Sequence, residues 1–123
     1  MTGRVIPVKF NRKDALSLWH DVTLKSVLET GPDLSTRQLV ILTTIYLEPG
    51  PHTVRSLAQK LNVTKAVVTR AIDMLAGQKY VQRCADPRDK RSILIERTAR
   101  GSNYLSQFAD NICQNLKTGS NLA

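Results

Sequence analysis

The chain has 123 residues, of which 41% are apolar and 23% charged, so it is long enough for one compact domain and too short for two packed catalytic domains. Only 5% of the residues are aromatic, which argues against a surface that stacks bases on many aromatic rings. Eighteen Lys and Arg against ten Asp and Glu give a formal net charge of +8.

The positive charge is concentrated in one segment. Residues Arg55 to Arg100 include eleven basic and four acidic side chains, a net charge of +7, whereas the rest of the chain carries only +1. Such a segment favours binding to a polyanion. The alternative is a charged surface that only keeps the protein in solution.

Targeting signals are not expected. Met1–Phe10 lacks the apolar run of a secretory signal, and the longest uncharged apolar-rich stretch, Gln38–Leu47, is far shorter than a membrane span. Cys84 and Cys113 are too few for a disulfide framework or a zinc quartet. The sequence therefore predicts a cytoplasmic protein with reduced thiols and no membrane partner.

Residues 1–11 are predicted to form a flexible arm. Helical periodicity follows from about Arg12 to Thr30, with Leu16, Trp19 and Val22 on its apolar stripe. The Gly-Pro pair that comes next ends this helix.

The second predicted helix, Thr36–Leu47, is apolar almost all round and is expected to be the most buried element. Ser35 and Gln38 have the spacing of a capping box, in which each side chain satisfies a backbone N–H of the first turn.

Two short helices are predicted after the Pro-Gly-Pro break. Thr53 caps the first and Thr64 the second, which runs to about Gln78. Asn62 tolerates the left-handed backbone of a tight turn between them. This arrangement predicts a helix-turn-helix over about residues 53–78.

A hairpin over about residues 80–97 is predicted next, with strands Tyr80–Ala85 and Ser92–Arg97 and a charged loop of about six residues. Thr98 caps a last helix that reaches about residue 117. The predicted fold is mainly α with a small β-hairpin (α+β), in the order α-α-α-α-β-β-α. It forms a single domain over residues 12–123, with the N- and C-terminal helices packed together.

A helix-turn-helix, a basic hairpin and a closing helix form the order of a winged helix. The sequence resembles the MarR family of bacterial transcription regulators over about residues 34–105. The matching positions are Leu57-Ala58-Gln59-Lys60-Leu61-Asn62-Val63, Val68-Thr69-Arg70, Leu75, Val81, Arg83, Asp86-Pro87-Arg88-Asp89-Lys90-Arg91, Thr98 and Gly101. The resemblance implies a homodimer that binds double-stranded DNA, often as a repressor. A small-molecule effector is implied by the resemblance alone, and no pattern in this sequence supports one.

The predicted recognition helix supplies candidate contacts to the major groove: Thr64, Lys65, Ala66, Val67, Thr69 and Arg70. Ala66 and Val67 suit thymine methyl groups, unless Val67 is half-buried under the wing. Arg70 is expected to contact phosphate. The alternatives are a contact with a guanine or an ion pair with Asp73. Thr53 and Arg55 are expected to lie over the DNA backbone.

The hairpin is predicted to be a wing that enters the minor groove through Arg88, Lys90 and Arg91. Asp89 repels DNA, so its expected role is to hold Arg91 in one rotamer. The alternative is a solvated charged turn.

Three features differ from the family pattern: two residues and the number of C-terminal helices. Lys79 stands where the family has glycine, so either Lys79 has a positive φ or the helix ends differently around Gly77. Arg97 replaces a leucine, and one C-terminal helix is predicted where the family has two.

A homodimer contact is predicted from apolar residues of the first and last helices: Leu16, Trp19, Val22, Phe108, Ile112 and Leu116.

The other polar candidates are weak. His20 and His52 lack the spacing of metal ligands, and the two cysteines are expected to be small core residues. No nucleophile–base pair or phosphate-binding glycine loop stands out, so neither an enzyme nor a cofactor is predicted. The alternative function is a winged-helix module for protein contacts, as an accessory factor of the transcription or replication machinery. RNA binding is disfavoured by the few aromatics.

Overall fold

The computed structural model describes residues 10–29 and 31–120, with side chains through Leu116. The element order is α-α-α-α-β-β-α, as predicted: α1 (Arg12–Leu28), α2 (Thr36–Leu47), α3 (Val54–Leu61), α4 (Lys65–Gly77), β1 (Val81–Asp86), β2 (Asp89–Arg97) and α5 (Ala99–Ser120).

The chain divides into two compact units. The winged unit is Leu34–Leu105, and the helical unit joins the chain up to Asp33 to the chain from Ser106 onward. The prediction of one domain over residues 12–123 stays a prediction. The predicted arm lies outside the described residues except for its last two positions.

In the winged unit, α2 begins at the predicted capping box. The Gln38 N–H donates to Ser35 Oγ at 3.1 Å, and Gln38 Oε1 accepts from the Ser35 N–H at 2.8 Å. Ile41, Leu42 and Ile45 are fully buried. Not every apolar residue of α2 is buried, however, because Leu47 at its last turn is 80% exposed.

The core of the winged unit brings α2, α3, α4 and the hairpin together. Its buried members are Ile41, Leu42, Ile45, Leu57, Ala58, Val68, Ala71, Ile72, Leu75, Tyr80, Val81 and Ile95. The Ile95 N–H donates to the His52 carbonyl at 2.8 Å, which ties the segment before α3 to the base of β2.

The hairpin has a shorter loop than predicted. Asp86 pairs with Asp89, so only Pro87 and Arg88 lie between the strands, and a register shift follows Ala85. The predicted loop of about six residues is therefore wrong. The tip residues are exposed on both faces and show none of the apolar alternation that marks a strand in sequence.

Tyr46 connects the end of the hairpin to the start of α5. Its hydroxyl accepts from the Thr98 N–H at 3.0 Å and lies 2.8 Å from the Thr98 carbonyl and 3.1 Å from that of Tyr80. Thr98 Oγ1 accepts from the Gly101 N–H at 3.0 Å, so Thr98 caps α5 as predicted. The helix runs to Ser120 rather than to about residue 117.

In the helical unit, α1 packs against the second half of α5, as predicted. The buried Asn111 side chain donates to the Val22 carbonyl at 3.1 Å, and Lys25 Nζ donates to Gln114 Oε1 at 3.1 Å. The expectation that Cys113 is a core residue is wrong, because it is exposed.

No helix among the described residues is both long and apolar enough to cross a membrane.

Candidate nucleic-acid interface

Side-chain caps define the helix-turn-helix. The Thr53 and Ser56 side chains each accept from the other's backbone N–H at 3.0 Å, which starts α3. Asn62 ends α3 in the left-handed conformation, with φ 55°, as predicted. Thr64 Oγ1 then accepts from the Val67 N–H at 3.3 Å and starts α4. A nearby side chain or the left-handed Asn62 therefore fixes where each helix of the motif begins and ends.

The buried face of α4 determines which residues face outward. Val68, Ala71, Ile72 and Leu75 pack into the core. The predicted major-groove residues lie on the remaining surface, and five of them are exposed: Thr64, Lys65, Ala66, Thr69 and Arg70. Val67 is half-buried, so only part of its side chain is accessible to a base.

Asp73 forms an ion pair with Arg83 on β1, at 2.5 Å between Oδ1 and Nη2. This pair was not foreseen from the sequence, because it joins α4 to a strand ten residues later. It occupies the carboxylate that was one alternative partner of Arg70, and Arg70 is exposed.

The predicted contacts to the DNA backbone differ in accessibility. Thr53 is half-buried and its hydroxyl is engaged in the cap of α3, whereas Arg55 is exposed in the first turn of that helix. Arg55 is therefore the more available of the two.

At the wing, Arg88, Asp89, Lys90 and Arg91 are all exposed. Asp89 Oδ1 accepts from the Arg91 backbone N–H at 3.0 Å and lies 3.7 Å from Arg91 Nε. The structure therefore brings together the two residues that the sequence paired. The Arg91 side chain remains 95% exposed.

The predicted dimer residues fall into two groups. Leu16, Trp19, Ile112 and Leu116 are exposed, with Trp19 60% accessible. Phe108 is half-buried, and Val22 is 3% exposed. The Val22 side chain is thus in the interior of its own chain and is not available to a partner.

The remaining polar side chains do not form a metal site. Among residues 10–29 and 31–116, no group of three or more His, Cys, Asp and Glu side chains is placed to hold a metal ion.

Cys84 is half-buried and its thiol donates to Glu96 Oε1 at 3.0 Å. This hydrogen bond, together with burial and the Glu96 charge, raises the pKa of the thiol.

Comparisons with known proteins agree with this architecture. The family model described as "MarR family" matches residues 34–93. The HTH-type transcriptional repressor YetL of Bacillus subtilis is 46% identical over 52 residues, which cover 42% of this chain and 31% of that protein. YkoM of Bacillus subtilis, an uncharacterized HTH-type transcriptional regulator, is 30% identical over 71 residues, which cover 58% of this chain and 46% of that protein.

The fold is also similar to a solved structure of an S. aureus MepR mutant bound to an oligodeoxyribonucleotide. The TM-score is 0.76 at 20% identity, over 94% of this chain and 86% of that one. The matched stretches span less than half the length of the two curated relatives. The match to the MarR family model thus covers the winged helix-turn-helix, 60 of the 123 residues of the chain.

Proposed function

We propose that this protein is a sequence-specific, double-stranded DNA-binding transcription regulator that acts as a repressor. The observation that carries the proposal is the surface of the winged unit. The outward face of α4 and the wing are both exposed and basic, and side-chain caps hold α4 in place. As a regulator of this kind the protein would act on the nucleoid, in the bacterial cytoplasm. The proposal includes no catalytic step and no cofactor.

The first half of α4 is the proposed reader of the major groove. Lys65 and Arg70 supply positive charge at its exposed surface, and Ala66 offers a methyl group to a thymine. The N-terminus of a helix also attracts phosphate through its free N–H groups. Val67 contributes only its accessible edge.

The wing is the proposed minor-groove contact. An arginine inserted into a narrow minor groove is attracted by the concentrated negative potential there. The Asp89 carboxylate is bonded to the Arg91 backbone and lies beside its guanidinium, so it restricts the conformations that Arg91 adopts before DNA binds.

Repression and dimer formation are supported by the relatives and by the helical unit. YetL is named a transcriptional repressor. The exposed apolar residues Leu16, Trp19, Ile112 and Leu116 would form the contact between two copies. A two-fold symmetric dimer reads two half-sites about 34–36 Å apart, or a multiple of that distance, which requires a pseudo-palindromic operator.

Selection of bound fragments from genomic DNA tests the proposal, followed by affinity measurements on the selected site over a range of salt. We expect a pseudo-palindromic motif. We also expect log K to fall with log salt with a slope of about −9 or steeper for a dimer, from about five to eight phosphate contacts per protomer. Absence of binding to any duplex at low salt, or a flat salt response, would contradict the proposal and favour the protein-interaction module.

Single variants separate base reading from backbone contact. Arg70→Ala should weaken binding to all sequences and reduce the salt slope by about 1 per protomer. Val67→Ala should instead relax the preference at one base pair of each half-site, with little change in non-specific affinity. Lys13→Ala, which removes an exposed charge from α1, is the matched control and should change neither quantity.

A further inference from the structure

A cavity of about 540 Å³ opens in the winged unit, where the end of α4, the start of β1 and the first turn of α5 meet. Ala76 and Val81 form an apolar part of its lining. Three cationic side chains, Lys79, Arg83 and Arg100, also line the cavity.

The charge of this cavity is only partly balanced. Asp73 pairs with Arg83. Among the described residues, neither Lys79 nor Arg100 takes part in an ion pair; the Arg100 guanidinium lies 6.0 Å from the centre of the Tyr80 ring instead. Two positive charges on one open cavity attract a counter-anion.

Lys79 has an unfavourable backbone conformation. Its φ is 63°, in the left-handed region that favours glycine. Two hydrogen bonds fix this conformation: the Lys79 N–H donates to the Ala76 carbonyl at 2.9 Å, and the Lys79 carbonyl accepts from Thr98 Oγ1 at 2.7 Å. Lys79 thus places a charged side chain in the cavity lining at a backbone position that glycine would occupy without strain.

The cavity is also remote from the proposed reading end of α4. Lys65 begins the helix and Lys79 follows its end, so about 20 Å of helix rise separates them. The cations of the cavity are therefore not part of the surface formed by the first half of α4.

We propose that this cavity binds a phosphate group through Lys79 and Arg100, with Arg83 as a further cation. The group belongs either to a small phosphorylated or inorganic anion or to the backbone of bound DNA. This phosphate site does not depend on the proposed regulator function, because phosphate binding can be measured in the absence of DNA.

The test is a titration of the full chain with inorganic phosphate against chloride at equal ionic strength, followed by amide chemical shifts. We expect saturable shifts centred on residues 79–83 and 98–101. Lys79→Gly should weaken phosphate binding about tenfold, because one charge-assisted contact is lost. Its melting temperature should equal or exceed that of the parent protein, because glycine adopts this φ without strain.

Arg100→Gln provides a second variant, with the same expected weakening and without a change at the strained position. Lys13→Gln removes one exposed charge from α1, outside the cavity lining, and is the matched control that should bind phosphate like the parent protein.

DNA affinity then separates the two sources of phosphate. If Lys79→Gly weakens DNA binding and phosphate competes with DNA, the occupant is a backbone phosphate. If DNA affinity is unchanged, the occupant is a free anion. Shifts that do not saturate, or that are equal in the parent protein, Lys79→Gly and Arg100→Gln, mean an adventitious ion only and overturn the proposal.

Discussion

Gly101 lies in the first turn of α5 against two groups that are already fixed. A Cβ atom there would overlap the Tyr80 carbonyl oxygen and the Tyr46 hydroxyl. The first is backbone, and the second is bound to Thr98 on both its N–H and C=O sides. We expect Gly101→Ala to destabilise the protein by about 2–4 kcal/mol, from overpacking and lost hydrogen bonds, as measured by urea denaturation.

Gly77→Ala is the matched control for that substitution. Gly77 is the last residue of α4, and a Cβ atom there would meet nothing within 4 Å. Its replacement should leave stability unchanged or raise it by up to about 1 kcal/mol, because alanine favours the helix. Equal losses for both variants would show that the contact with Tyr46 does not determine the cost.

The two cysteines should differ in reactivity with pH. The pKa of Cys84 is raised by the hydrogen bond to Glu96, by burial and by the Glu96 charge, so its reactive thiolate forms only at higher pH. Cys113 is exposed. We expect iodoacetamide to modify Cys113 first, with Cys84 reacting appreciably only as pH rises, as followed by mass spectrometry between pH 7 and 10.

Glu96→Gln tests the cause of that difference. It removes the negative charge beside the thiol, which lowers the pKa of Cys84 and speeds its modification at a given pH. Loss of Cys84 modification at every pH would instead show that access to the thiol, rather than ionisation, limits the reaction.

At the scale of elements, the wing provides a test with opposite expectations. Arg91→Ala should make the free energy of DNA binding about 1–3 kcal/mol less favourable if this arginine enters the minor groove. Asp89→Ala removes a negative charge from the surface that we propose to face DNA, and simple electrostatics predicts tighter binding. Because Asp89 is bonded to Arg91, we expect weaker binding, measured by fluorescence anisotropy on the operator.

The double variant completes that test. If Asp89 acts through Arg91, Asp89→Ala should have little further effect in the Arg91→Ala background. Tighter binding by a folded Asp89→Ala protein would mean that the wing is a loose basic loop without this positioning.

The helix starts were predictable because their causes are local. Ser35, Thr53, Thr64 and Thr98 each bond a backbone N–H three residues later, a spacing visible in sequence. The positive φ of Lys79 was also signalled, by a lysine where the family has glycine.

Other features depend on tertiary structure and left no local signal. The Asp73–Arg83 pair joins a helix to a strand, and the Tyr46 hydroxyl reaches a residue 52 positions away. Periodicity placed Val22 on an apolar stripe with Leu16 and Trp19, but the packing of α1 on α5 decides which of them is buried.

At the scale of the whole molecule, most of the net positive charge and most of the exposed large apolar residues lie in different units. Most of the positive charge lies in the winged unit, between Arg55 and Arg100. Of the ten exposed large apolar residues in the described part of the chain, the winged unit has three, Val40, Leu47 and Ile93. The helical unit has the other seven: Leu16, Trp19, Leu24, Val27, Leu28, Ile112 and Leu116. This division is expected of a protein that binds DNA with one unit and a second copy of itself with the other.

The dimer prediction follows from that exposed surface. Trp19→Glu places a charge where an apolar side chain is 60% exposed, so it should leave the fold intact and weaken association of two copies. In sedimentation equilibrium we expect a dimer for the parent protein and monomer for Trp19→Glu. Leu47→Glu, at an 80% exposed site in the winged unit, is the matched control and should remain dimeric.

The same variant tests how dimer formation affects DNA binding. Since two linked half-sites bind more tightly than one, Trp19→Glu should also lose affinity for a palindromic operator far more than for a single half-site. A parent protein that stays monomeric at high micromolar concentration, with no change of mass on DNA, would show that these apolar residues do not form a homodimer.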